Sequence, residues 1–408
     1  MQTVHTVIMV KIAIMGFGTV GSGVAEVLKM NAASIAKRCG QEIELKYILD
    51  LRDFPGTPWE SLVIHDFEVI ESDPEVAVVV ETIGGARLAY EFTRRALAAG
   101  KSVVTSNKEL VATHGRELLA LAAEKNVSYL FEASVGGGIP LLRPLTNCLA
   151  ANEIEEISGI LNGTTNYILT RMFRAGLSFE DALAEAQSLG YAEANPAADV
   201  DGIDAARKTC ILADLAYGYD VRPEQVIPEG IRTITAADVA GAEACGKVIR
   251  LIGRVLRRED GRVHLIVAPH LVSRDCLLSG VEDVFNGVMV SGNAVDDVMF
   301  YGRGAGKLPT ASAVMGDVID IVRALPERRA LSWVTAPEGY VADNAELPYA
   351  FFIRANCSAD AARAAFGDVC IVSEEDGICV FLTPVMPSGD AAAKAEKLDV
   401  VSCIRVLN

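Results

Sequence analysis

The chain has 408 residues, 51% hydrophobic and 22% charged, with a formal net charge of −17. That length supports two or three domains with buried cores, and the composition excludes disordered and fibrous classes. An acidic balance of this size repels phosphate backbones, so no nucleic-acid partner is expected.

In chain order, residues 1–8 read as a dispensable extension without the apolar run and small-residue cleavage site of a signal peptide. Residues 10–15 (Val-Lys-Ile-Ala-Ile-Met) predict a buried strand, followed by a glycine-rich turn and a helix from Ser22 to about Lys37. Further strands are expected at Ile43–Asp50, Ala77–Glu81, Lys101–Ser106 and Val127–Glu132, with helices near Leu88–Ala99 and from about Glu109 to Lys125. Strands alternating with helices predict a parallel sheet covered on both faces, the doubly wound Rossmann-type α/β class. After Pro140 the pattern changes. Residues 141–220 read as mostly helical with a turn-rich insert at 190–202, and 230–300 as short strands mixed with helices. A glycine-rich stretch, Tyr301–Gly306, precedes a helix to about Leu325. Residues 326–348, with Pro326, Pro337 and Pro348, read as a linker, and 349–408 as a small separate module of strand, helix, two strands, helix, strand. The most apolar short runs, such as Val76–Val80, are of strand length, so no membrane partner and a cytoplasmic location are expected. Nine cysteines form no Cys-x-x-Cys pair, which suits reduced thiols, and the five histidines show no metal-ligand spacing.

Gly16-Phe17-Gly18-Thr19-Val20-Gly21 forms G-x-G-x-x-G between a strand and a helix. Gly16 permits the tight turn, Gly18 lets backbone approach a pyrophosphate, and Gly21 lets helix and strand pack closely, with the helix N-terminus facing the phosphates. Alone the motif is weak; here it opens a repeated strand–helix series. Asp50 ends the second strand, where a carboxylate accepts hydrogen bonds from a ribose and favours NAD. Arg52 either meets the 2′-phosphate of NADP or is a solvated loop charge, so the choice of cofactor stays open. Lys108, in Thr105-Ser106-Asn107-Lys108, follows the fourth strand, whose carboxyl end lines the ligand crevice; a lysine there is otherwise a solvated loop charge. Asp204 and Lys208 are one helical turn apart beside Ile211 and Leu212. Such a lysine is either held as a proton donor or is an ordinary helix salt bridge. Phe131–Pro140 contains three consecutive glycines, either a loop whose carbonyls approach a ligand or cation or a plain domain-crossing turn.

These segments (GFGTVGSG, VVVETIGG, SNKELVA, FEASVGGGIP, GILNGTTNYILTRM, LGYAEANPAADVDGIDAARK and GRGAGKLPTASAVMGD) together resemble homoserine dehydrogenases over residues 10–325. The resemblance implies reversible NAD(P)-dependent reduction of L-aspartate 4-semialdehyde to L-homoserine, a step toward threonine, methionine and isoleucine. It implies a dinucleotide-binding domain at 1–140 completed by 302–325, an α/β substrate and dimerisation domain at 141–301, a linker at 326–348, a C-terminal module at 349–408, and a homodimer or homotetramer. By the same resemblance Lys208 and Lys108 are the catalytic lysines, and Glu193, Asp199 and Asp204 hold the substrate's amino group and orient Lys208. Asn162, Gly163, Thr164 and Thr165 shape the substrate pocket. Thr82, Gly84, Ser106 and the loop holding Gly302 and Gly304 lie near the nicotinamide. Main-chain carbonyls of Glu132, Val135, Gly137 and Ile139 ligate a monovalent cation, sodium first. Two departures stand out. Asn195 occupies a position where the family usually has Asp, which argues against an ionic role there. The tail resembles a shortened ACT module but reads Asn356-Cys357-Ser358-Ala359-Asp360 where an effector-binding Asp-x-x-Gly turn belongs, so threonine feedback through it is not expected. The rival readings are another two-domain amino-acid dehydrogenase, such as an aspartate dehydrogenase, and a non-catalytic NAD(P)H-binding regulator.

Overall fold

The computed structural model describes residues 9–325 and 331–407; the N-terminal extension at 1–8, residues 326–330 of the expected linker and Asn408 lie outside the described residues. The chain opens with β1 (Met9–Met15), α1 (Thr19–Cys39), β2 (Glu42–Leu49), β3 (Val63–Ile64), α2 (Glu68–Ser72), β4 (Val76–Glu81), α3 (Arg87–Ala98), β5 (Ser102–Thr105), α4 (Lys108–Glu124) and β6 (Tyr129–Leu130). It continues through β7 (Ile154–Ile160), α5 (Gly163–Ala175), α6 (Phe179–Ser188), α7 (Ala197–Val200), α8 (Ile203–Tyr217), β8 (Tyr219–Asp220), α9 (Ala236–Ala244), β9 (Lys247–Arg257), β10 (Val263–Ser273), β11 (Phe285–Gly292) and β12 (Asp296–Arg303). Next come α10 (Lys307–Ala324) and β13 (Val334–Thr335). The tail holds β14 (Pro348–Asn356), α11 (Ala359–Phe366), β15 (Cys370–Glu375), β16 (Ile378–Leu382), β17 (Met386–Pro387), α12 (Ser388–Ala395) and β18 (Asp399–Leu407).

Two compact units result: 1–148 with 213–221 and 303–336, and 149–212 with 222–302 and 337–408. The first is built on a six-stranded sheet in the order β3-β2-β1-β4-β5-β6, all neighbours parallel. Strand order reverses between β1 and β4, the switch point at which such sheets open a crevice beyond their carboxyl ends. Ile12 and Ile14 of β1 and Val78 and Val80 of β4 share one buried core with Val24, Ala25 and Leu28 of α1 and Val314, Val318, Ile321 and Val322 of α10. Burying each of these valine, leucine and isoleucine side chains contributes roughly 1.5–3 kcal/mol, so α10, in the last third of the chain, is fixed against α1. Trp333, in the expected linker, is buried and fills the space left by Gly115 of α4.

The second unit is built on a largely antiparallel sheet, β12-β11-β7-β9-β10-β18-β14-β16-β15, with β17 added on β14. This corrects the expectation for 141–300. β7 is a strand inside a stretch read as helical, and β9 and β10 are eleven-residue strands paired along their whole length. The tail has the expected β-α-β-β-α-β order, and its strands run β18-β14-β16-β15, the split-βαβ arrangement. It is not a separate sheet, because β18 pairs in parallel with β10 through His270–Arg405, Leu271–Val406 and Val272–Leu407. At the missing effector turn, Ser358 Oγ accepts the Ala361 N–H and caps α11 with the chain's own side chain. Among the described residues no helix is long and apolar enough to cross a membrane.

Candidate active site

In the first unit the glycine turn joins β1 to α1. Gly16 has φ +86, and a Cβ on Gly21 would lie 2.0 Å from the Gly16 carbonyl oxygen, so neither position admits a side chain. A Cβ on Gly18 would meet nothing within 4 Å. Gly18 is also the N-cap of α1, so no side chain caps that helix, and its first turn holds no acidic residue. The leading amides of α1 and the positive end of its dipole therefore face open space over Gly18, an arrangement that fits a pyrophosphate. Thr82 Oγ1 donates to the Gly16 carbonyl (2.6 Å), pinning the turn to the end of β4. Asp50 Oδ2 accepts the Phe17 N–H at 2.7 Å, so the residue chosen for the ribose also holds the turn. Arg52 folds back onto Asp50, with Nε on Oδ1 and Nη2 on Oδ2, each at 3.0 Å. The Arg52 guanidinium, with the Phe17 amide, holds the Asp50 carboxyl down at about 2. Arg52 is thus an ion-paired charge and not an isolated one.

A residue that the sequence reading passed over ties the next turns together. Glu81, at the end of β4, is fully buried; one oxygen accepts the Ile83 N–H (2.6 Å) and the other the Thr105 hydroxyl. Burial pushes its carboxyl up to about 7. The Thr105 hydroxyl in turn accepts the Asn107 N–H (2.9 Å), and Asn107 Nδ2 donates to the carbonyls of Ile83 and Gly85. Asn107 Oδ1 caps α4, whose first residue is the half-buried Lys108. The turns carrying Thr82, Gly84, Ser106 and Lys108 are therefore one hydrogen-bonded assembly around Glu81. Its signal in the sequence was a carboxylate closing a wholly apolar strand.

The glycine loop after β6 is held at both ends by buried carboxylates. The Glu132 carboxylate accepts the N–H groups of Leu141, Leu142 and Arg143 at 2.6–2.8 Å, and Asp317 of α10 accepts the Glu132 N–H at 2.8 Å and Arg143 Nη2 at 3.1 Å. Burial, with the nearby Glu132 charge, raises the Asp317 carboxyl to about 8. A Cβ on Gly137 (φ +54) would lie 2.2 Å from the Gly304 carbonyl oxygen, so the loop packs backbone to backbone on the segment leaving β12. Among the described residues no group of three or more His, Cys, Asp or Glu side chains could hold a metal ion.

In the second unit the remaining residues converge. Asn162 caps α5, its Oδ1 accepting the Thr165 N–H (2.9 Å) and hydroxyl (3.1 Å). Its Nδ2 donates to Asp199 Oδ1 (2.7 Å) and Asp204 Oδ2 (2.8 Å). Lys208 Nζ donates to the same Asp204 oxygen (2.8 Å) and to the Leu161 carbonyl (2.7 Å). Lys208 is 8% exposed and Asp204 4%. A buried ammonium fixed by a carboxylate and a carbonyl is far from a solvated helix-face salt bridge, and losing its partner would be costly. Thr164 Oγ1 donates to the Tyr191 carbonyl (2.6 Å), binding the Gly190–Glu193 turn to α5. A Cβ on Gly163 would lie 2.8 Å from the Val284 carbonyl oxygen, and Asn166 Nδ2, also missed in the sequence, donates to the carbonyls of Val281, Asp283 and Phe285. Glu193 is exposed, and its carbonyl accepts from Gln187. Asn195 Oδ1 accepts the Ala197 N–H at 3.3 Å, a local turn contact that needs no charge.

Comparison with known proteins places both segments in one family. Residues 16–132 match the family model for the homoserine dehydrogenase NAD-binding domain and 140–319 that for homoserine dehydrogenase. A Pseudomonas aeruginosa homoserine dehydrogenase is 45% identical over 347 residues, 83% of this chain and 79% of that protein. One from Synechocystis is 46% identical over 322 residues, 77% and 73% of the two chains. The crystal structure of a Thiobacillus denitrificans homoserine dehydrogenase superposes with a TM-score of 0.90 at 35% identity, covering 98% of this chain and 99% of that one. A hyperthermophilic archaeal homoserine dehydrogenase solved with NADPH gives a TM-score of 0.65 at 30% identity, over 79% of this chain and all of that one. With family models matching 16–132 and 140–319 and relatives 45–46% identical over most of their length, the chain belongs to the homoserine dehydrogenase family of NAD(P)-binding oxidoreductases.

Proposed function

We propose that Lys208 is the proton donor of the homoserine dehydrogenase reaction, in a substrate site built from Asn162, Gly163, Thr164, Thr165, Glu193, Asp199 and Asp204. The observation that carries this reading is the buried Lys208–Asp204 contact, closed by the Leu161 carbonyl and bridged by Asn162 to Asp199. The bound dinucleotide supplies a hydride to the aldehyde carbon of L-aspartate 4-semialdehyde and takes one from homoserine in reverse. As hydride adds, negative charge develops on the aldehyde oxygen; the Lys208 ammonium stabilises that charge and donates one proton, which completes the alcohol. In the reverse direction neutral Lys208 takes the hydroxyl proton. Asp204 keeps the ammonium aimed, and Asp199 and Glu193 receive the substrate's own ammonium group. Lys108, at the start of α4, adds a second positive charge.

The uncapped start of α1 supports pyrophosphate binding by Gly16–Gly21, with Asp50 and Arg52 at the adenosine ribose and Thr82, Gly84, Ser106, Gly302 and Gly304 toward the nicotinamide. Glu132, Val135, Gly137 and Ile139 would hold a monovalent cation, sodium first, through main-chain carbonyls. In support, Gly136 and Gly137 both have positive φ, which lets this loop turn its backbone tightly. Replacing Lys208 with Ala tests the proton donor. Turnover should fall by ~100-fold or more while the protein, though less stable, still folds and keeps its dinucleotide affinity. A stable Lys208→Ala protein with near-normal turnover overturns the assignment.

A further inference from the structure

The C-terminal tail lies in the same sheet as β10, and a side-chain contact links its last strand to the loop that follows 228. Arg405 on β18 points at the loop at 229–232 and binds Glu229, Nη1 to Oε2, at 2.7 Å. The loop's other attachment to the sheet at this point is the Glu229 N–H, donated to the Val267 carbonyl of β10 at 2.8 Å. Beyond it, β18 and the loop diverge around a cavity of ≈530 Å³ lined by Gly230, Arg232, Pro269, Val401, Ser402 and Cys403, among others. Across that gap the Arg405–Glu229 ion pair joins the last strand to the loop.

The same loop grips the turn between Asp199 and Asp204. The Ile231 N–H donates to the Val200 carbonyl at 2.9 Å, and Gly230 packs so closely that a Cβ there would lie 2.4 Å from that oxygen. Arg232 chelates Asp201 with Nε and Nη2. From Arg405 the path runs through direct contacts and short stretches of chain: β18 to Glu229, Glu229 along the chain to Arg232, Gly230 to Arg232 onto Val200 and Asp201, and from these along the turn to Asp199 and Asp204. Arg405 is itself held from behind, its guanidinium 5.9 Å from the ring centroid of Tyr349 and 6.0 Å from that of Phe351. Its side chain is 15% exposed, against 50% for Glu229.

We propose that Arg405 is a positioning residue for substrate binding, acting through Glu229 and the 229–232 loop to set the turn that carries Asp199 and Asp204. This rests on the reading of those two carboxylates as the substrate's ammonium site. The tail then serves the reaction as a strut, without an effector. Removing the contact lets the turn relax, which weakens homoserine binding and leaves the cofactor's unit untouched.

The test is steady-state kinetics of the full chain carrying Arg405→Met, Arg405→Lys, Glu229→Gln and the double variant Arg405→Met/Glu229→Gln. Arg405→Met keeps the stem over Tyr349 and Phe351; Glu229→Gln breaks the pair from its solvated side and keeps the proposal testable if the first variant misfolds. Each broken pair should raise the KM for homoserine about three- to fivefold, the scale of a partly exposed ion pair, with the KM for NADP+ unchanged. The double variant should be no worse than the worse single, and Arg405→Lys should lie nearer the parent. Folded variants with the parent's homoserine KM overturn the proposal, and so does a parallel rise in both KM values, which marks general loosening. Asp199→Asn, measured alongside, separates the two readings. An unchanged homoserine KM there sinks the substrate site itself, whereas a rise there without one in Arg405→Met sinks only the strut.

Discussion

The helices α1 and α5 begin in opposite ways. α1 starts on a glycine turn with no side chain over its amides, and α5 starts on Asn162, whose carboxamide caps the helix on one side and reaches Asp199 and Asp204 on the other. One site is main chain left bare; the other is side chains brought together from positions 162, 199, 204 and 208. A bare main chain tolerates no added atoms but has few groups to lose. A convergent polar cluster has room for exchange of size but loses function when one donor or acceptor goes. The two sites should therefore fail differently under substitution, the first by steric exclusion and the second by lost chemistry.

The largest effect expected from this contrast is at Gly18. A Cβ there touches nothing in the chain, whereas one on Gly21 would collide with the Gly16 carbonyl. Gly18→Val should fold with the parent's melting temperature and show no dinucleotide binding by calorimetry; Gly21→Val should lose the fold. Unchanged affinity of Gly18→Val for both NAD and NADP would break the comparison, because the pyrophosphate would then not meet this turn.

The same contrast explains what the sequence could reveal. The parallel unit was legible because strands buried on both faces read as unbroken apolar runs punctuated by glycine. The antiparallel unit was not, because its buried strands carry charge. Arg250 is fully buried, donating to the carbonyls of Ile249 and Ser279, and Arg254 is neutralised by Glu156 of β7 and capped by the Tyr349 hydroxyl. Those arginines and Glu155–Glu156 broke the pattern that would have marked β7 and β9, and Pro269 with His264 and His270 interrupted it in β10. At the site, the one-turn spacing put Asp204 and Lys208 together, but the Leu161 carbonyl and Asn162 lie more than forty positions away and enter only through the fold. The resemblance to a known family, not spacing, named Asn162, and nothing in the sequence pointed to the Leu161 carbonyl.

Glu81 sharpens the comparison from the other direction, since the bare cofactor turns rest on one buried side chain. Its carboxyl sits at about 7 against 4.5 in an exposed chain, so the folded state binds an extra proton between those values. The stability it contributes is fully present below pH 4.5 and is lost as pH rises through 7, by up to ~3 kcal/mol at roughly 1.4 kcal/mol per tenfold change in proton affinity. Glu81→Gln does not titrate. At pH 5 the parent's protonated carboxyl and the variant's amide each present one acceptor oxygen and one donor to the Ile83 N–H and the Thr105 hydroxyl. The two proteins should therefore be close in stability in urea at pH 5, and the variant should be the more stable by pH 8.5. A gap constant with pH would remove Glu81 as the titrating group.

The smallest effect tests a charged side chain proposed for the cofactor site. Arg52 is 62% exposed and chelates Asp50, which also holds the Phe17 amide. An exposed pair of this kind is worth only ~0–1 kcal/mol, so breaking it should neither unfold the turn nor free Phe17. Its consequence for ligands is asymmetric. Without Arg52, the Asp50 carboxylate can still accept hydrogen bonds from a ribose diol, and NAD affinity should hold or improve slightly. A 2′-phosphate, however, would then face Asp50 with no intervening cation and would meet like-charge repulsion where it had a guanidinium able to chelate it. Arg52→Ala should therefore weaken NADP by about three- to tenfold and leave NAD within twofold, an effect that shrinks as salt rises because the site is exposed. Equal losses for the two cofactors would show that Arg52 serves only to hold Asp50. The adenosine end would then be, like the pyrophosphate end, a site of shape and main chain.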